Sequence, residues 1–69
     1  MANGPDTLDN VDVINMTNVA LDSGIIMAAI VECPKVTFDL TVTGLIELAK
    51  AKVDPEVIRT MQRKASQQP

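Results

Sequence analysis

The chain has 69 residues, of which 46% are apolar although Phe38 is the only aromatic, and its formal net charge is −3. That length is near the smallest at which one hydrophobic core holds a domain together without metals or disulfides, so a single domain is the ceiling. With Cys33 alone and no histidine, the sequence excludes an internal disulfide and the usual zinc ligand sets, and no cofactor is expected.

Met1 to Thr7 carries no apolar signal core. Together with the lone thiol this favours a cytoplasmic setting, with a secreted or excised domain left open. Charge is unevenly spread. Residues 1–34 hold five acids (Asp6, Asp9, Asp12, Asp22, Glu32) and no base, for −5, whereas residues 35–69 hold six bases against four acids, for +2. Two such halves can attract each other between copies, but exposed charges at this density mostly solvate the surface.

Taken in chain order, residues 1–7 read as a disordered N-terminus with Gly4 and Pro5. Asp9 can cap a helix starting near Asn10, with Asp12 three positions later at the positive end of its dipole. Val13, Met16, Thr17 and Ala20 then follow at helical spacing. After a tight turn near Leu21, Asp22 is the next cap. It opens Ile25-Ile26-Met27-Ala28-Ala29-Ile30-Val31, which is apolar without a break and too short to span a bilayer. A helix that is apolar all round is buried on several sides, and 69 residues supply little to wrap it. Two readings stand side by side: a central core helix, or a helix that presents Ile26, Met27, Ile30 and Val31 to a partner or a second copy.

Pro34 ends this helix and pushes Cys33 into an extended conformation. Residues 34–39 are a linker, and we expect an extended connection with Phe38 plugging the space between hairpins rather than a strand, because no pairing partner is visible. Thr41 is the next cap, followed by Leu45, Leu48 and Ala49. After a turn near Val53 comes Asp54-Pro55-Glu56, the clearest helix start in the chain, since proline at the first helical position lacks only an amide that has no partner anyway. Val57, Ile58 and Met61 line one face of this last helix, and Arg59, Gln62 and Arg63 the other. Residues 65–69 read as a disordered tail.

Sliding the sequence 32 residues against itself brings Leu8, Ile14, Asp22 and Ile26 onto Leu40, Ile46, Asp54 and Ile58, and Val13, Met16, Leu21 and Ile25 onto Leu45, Leu48, Val53 and Val57. The expected fold is therefore all-α: a compact bundle of four short helices made by two pseudo-repeated helix-turn-helix hairpins, residues 8–33 and 40–64, in one domain spanning 8–64.

Leu8-Asp9-Asn10-Val11-Asp12-Val13-Ile14, Ala20-Leu21-Asp22, Ile25-Ile26, Phe38-Asp39-Leu40 and Leu45-Ile46-Glu47-Leu48 together resemble a small repeated helical-hairpin module of bacterial proteins. That module reads Thr-Asn-x-Asp-Val-Ile, an Ala-Gly-Leu turn, a paired isoleucine and Phe-Asp-Leu-Ser. The likeness runs from Leu8 to Met61 and implies the hairpin fold, with no catalytic role attached. Two departures stand out. Ala20 and Lys52 occupy the expected turn glycines, where a left-handed cap would cost about 1 kcal/mol. Gly44 replaces an acidic residue at the second hairpin, which loses a dipole partner and suggests that another helix packs closely there.

For function, the residues argue against an enzyme. A nucleophile without histidine needs a Lys or carboxylate base, and Asp9 with Asp12, or Asp54 with Glu56, stand where helix caps need them. No glycine-rich phosphate loop or EF-hand spacing occurs. The expectation is a non-catalytic protein-protein interaction or oligomerisation module. The rival is a helix-turn-helix DNA-binding domain using Arg59, Arg63 and Lys64, with Thr60 and Gln62 beside them, which an acidic chain with a pI near 4.5 disfavours. A ubiquitin-type helical peptide-binding module lacks its diagnostic loop glycine.

Overall fold

The computed structural model describes residues 7–67, and within them the chain is an all-α bundle of four short helices with one small strand pair. α1 is Asn10–Asn18, α2 Ser23–Glu32, α3 Val42–Lys50 and α4 Pro55–Ser66; β1 is Thr7–Leu8 and β2 Lys35–Val36. The whole measures 31 × 29 × 19 Å.

Each helix begins on the side chain that its sequence offers. Asp9 and Asp12 form a reciprocal capping box, the Asp9 carboxylate accepting from the Asp12 amide (3.1 Å) and the Asp12 carboxylate from the Asp9 amide (3.2 Å). Asp22 accepts from the Gly24 amide (2.9 Å), Thr41 from the Gly44 amide (3.3 Å) and Asp54 from the Glu56 amide (2.8 Å), with Pro55 opening α4.

The two turns are alike in detail. At the end of α1 the Leu21 amide donates to Met16 and the Ala20 amide to Thr17; at the end of α3 the Val53 amide donates to Leu48 and the Lys52 amide to Ala49. This paired pattern satisfies the last carbonyls of each helix and demands a left-handed residue at its centre. Ala20 (φ 62°) and Lys52 (φ 64°) supply it without the freedom of glycine.

The core is built from Val13, Ile26, Ile30, Leu48, Val53, Val57 and Met61, with Phe38, Leu40 and Met27 packed against it from the side. Caps and turns recur at an offset of 32, yet the buried stripes do not. Ile26 and Ile30 on α2 correspond in depth to Val57 and Met61 on α4, an offset of 31, while Ile25, aligned with Val57 in the sequence, is 56% exposed. A shift of one residue turns a helix by about 100°. The second hairpin therefore buries a different stripe, and matching apolar letters do not mark matching interior faces. On α1 the buried stripe continues from Val13 to Thr17, whose Oγ1 is buried without a hydrogen-bond partner.

Four sequence expectations need correction. Residues 35–36 are a strand: β2 pairs in parallel with β1, Thr7 opposite Lys35 and Leu8 opposite Val36, and the Thr37 amide extends the ladder to the Leu8 carbonyl (2.8 Å). The partner lies immediately before the first cap, in two residues too few to show alternation. For the same reason Thr7 is not part of a free N-terminus. At the other end α4 continues to Ser66, so residues 65 and 66 are helix rather than tail; the disorder expected for residues 1–6 and 68–69 lies outside the described residues. Finally, what approaches Gly44 is the linker and not a helix. A Cβ there would overlap the Asp39 carbonyl and lie 2.9 Å from the Asp39 Cγ.

Asp39 is a junction. Its backbone is gripped by the Asn10 side chain, which donates to the Asp39 carbonyl (2.8 Å) and accepts from its amide (3.0 Å). Its carboxylate accepts from the Thr41 hydroxyl (2.6 Å) and amide (3.1 Å). Linker, α1 start and α3 cap are thus tied together.

Candidate interaction groove

α2 and α4 make the principal helix contact of the fold. At their N-terminal ends the Ser23 hydroxyl donates to the Asp54 carboxylate (3.1 Å); at their C-terminal ends the Lys64 ammonium donates to the Val31 carbonyl (2.9 Å). The two helices therefore run side by side in the same direction, an arrangement that the intervening β2 and α3 make possible. Parallel helices bring their negative ends together, and Lys64 places a cation there.

Beside this C-terminal junction lies a groove of about 490 Å³. α2 contributes Met27, Ala28, Val31 and Glu32; α4 contributes Thr60, Arg63, Lys64 and Gln67. Its floor is apolar, with Val31 59% exposed and Met27 half-buried against the core. Polar groups stand at its edges, and two of them are already engaged: Lys64 with Val31, and the Thr60 hydroxyl with the Glu56 carbonyl of its own helix (2.9 Å). Glu32 and Arg63 are exposed and unpaired among the described residues.

The residues named from the sequence divide here. Ile26 and Ile30 are 2% and 0% exposed, sealed against α4, and so belong to the core rather than to a contact surface. Met27 and Val31 are accessible in the groove. Of the bases proposed for nucleic acid, Arg63 and Lys64 line that same groove while Arg59 stands exposed outside it. The fold thus merges parts of two sets that the sequence kept apart. Ala28, Glu32 and Gln67 join the groove with no sequence signal beyond the helical spacing of Thr60, Lys64 and Gln67, because the polar residues 65–69 read as a tail.

Comparison with protein-family models, curated proteins and solved structures found no match for this chain.

Elsewhere, the paired carboxylates serve as caps: Asp9 with Asp12 in the capping box, and Asp54 between Glu56 and Ser23. The Cys33 thiol donates to the Lys35 carbonyl (3.0 Å). Among the described residues no group of three or more His, Cys, Asp or Glu side chains is placed to hold a metal ion, and no helix is long and apolar enough to cross a membrane.

Proposed function

We propose that the chain is a non-catalytic protein-interaction or oligomerisation module and that the α2–α4 groove is its contact surface. The observation that carries this reading is the exposed Val31 beside Met27 and Ala28 in a concave, apolar floor rimmed by charge. Apolar centre and polar rim are the usual anatomy of a protein interface. Ile26, Ile30 and the inner side of Met27 make the α2 side of the core, which leaves Ala28 and Val31 exposed beyond it.

The rival reading, DNA contact through α4, draws on the exposure of Arg59 and Arg63. It is the weaker, since the chain as a whole is acidic and would be repelled by a phosphate backbone. Sedimentation across a concentration series separates the two. An apolar interface gives association that persists in high salt and is lost in Met27→Asp and Val31→Asp; DNA binding that falls steeply with salt, with no effect of those substitutions, favours the rival.

A further inference from the structure

Resting on that reading and going one step beyond it, we propose that the occupant of the groove is a second copy of this chain, docked groove to groove about a two-fold axis parallel to α2 and α4, so that Glu32 of each copy meets Arg63 of the other.

Glu32, the last residue of α2, is the acidic edge of the groove and Arg63, on α4, a basic edge, and Met27, Ala28 and Val31 of α2 line it with them. Both charged side chains are exposed, and within one copy neither is joined to an opposite charge. Lys64 makes no ion pair with Glu32 among the described residues; its ammonium donates to the Val31 carbonyl. Glu32 is also poorly placed for its own helix: it is the last residue of α2, where the carbonyl ends disfavour a carboxylate. A local rule broken at a surface groove is where a compensating role is to be sought.

A two-fold axis that lies between the facing grooves and runs parallel to α2 and α4 exchanges the edges. The acidic edge of one copy then lies on the basic edge of the other, twice, while the apolar floors face each other and Ala28 allows close approach. The contact is isologous and closes at two copies, so it does not propagate into fibres. The charges set register and discourage other partners, and the floor supplies the driving force.

The test uses sedimentation equilibrium of the full chain as wild type, Glu32→Arg, Arg63→Glu, an equimolar mixture of those two variants, and Val31→Asp. None of these side chains is in the core, and thermal melts by circular dichroism verify folding. Wild type is expected to dimerise. Each charge variant alone sets like charges against each other at both contacts and should dimerise at least about tenfold more weakly. The mixture should regain dimers, because unlike charges then meet at both contacts. A wild type that is monomeric at every concentration, or charge variants that dimerise as wild type does, overturns the two-fold pairing. If the charge variants dimerise normally but Val31→Asp does not, the pairing falls and the groove stands; if Val31→Asp dimerises too, both fall.

Discussion

At the scale of single residues, this chain holds two left-handed turns with residues that resist them. Ala20 and Lys52 each carry a Cβ at positive φ, and the surrounding hydrogen bonds fix that conformation. Ala20→Gly and Lys52→Gly should each raise stability by about 1 kcal/mol in urea unfolding, with relief of the Cβ clash outweighing the greater freedom of glycine in the unfolded chain. Asp39 provides a pH signature. The Thr41 hydroxyl and then the Thr41 amide stabilise its carboxylate and hold the group below its ordinary value of 3.8, with slight burial opposing. A lowered folded value means that the ionised group favours the fold. Its contribution is present above 3.8 and is lost as pH falls through the lowered value. The fall in melting temperature on the acid side should therefore be shallower in Asp39→Asn than in wild type.

At the scale of elements, stability is concentrated where α2 meets α4. Met61 and Ile30 are both fully buried there, and Val57 lies one turn before Met61. Met61→Ala should lose about 2–5 kcal/mol by chemical denaturation, the range for large-to-small core changes, a large part of what a domain of this size possesses. The strand pair contributes differently. Two residues on each side cannot stand alone, so β1 and β2 persist because Val36 is buried and the Asn10 side chain clamps Asp39 just beyond the ladder. Gly44 belongs to the same junction: a methyl group there would push the Asp39 carbonyl away and loosen the linker from α3.

For the whole molecule, the division of α2 into an inner and an outer face is the fact on which function turns. Ile30→Asp buries a charge without a partner and should abolish cooperative thermal unfolding, since that cost rivals the entire stability of a small domain. Val31→Asp, at a position 59% exposed, should shift stability by no more than about 1 kcal/mol in a dilute sample where the chain is monomeric. Losing association without losing the fold would assign the outer face to binding; a comparable loss of stability in both variants would assign it to the core.

The sequence by itself determined the all-α class, the four helices and their starts. These depend on contacts within a few residues: Asp9 reaches Asp12, Asp54 reaches Glu56, and Pro55 needs no partner at all. It also marked the two turns where glycine was missing. The tertiary structure decided what depends on neighbours distant in the chain. An unbroken run from Ile25 to Val31 has no polar side to reveal its orientation, so only the packing against α4 decides that Ile26 and Ile30 are buried, Met27 half-buried, and Ile25, Ala28 and Val31 exposed. The parallel strand required Thr7 and Lys35 to meet across 28 residues, the groove required Glu32 and Arg63 to share one junction, and the close contact at Gly44 came from a linker whose path no local pattern encodes.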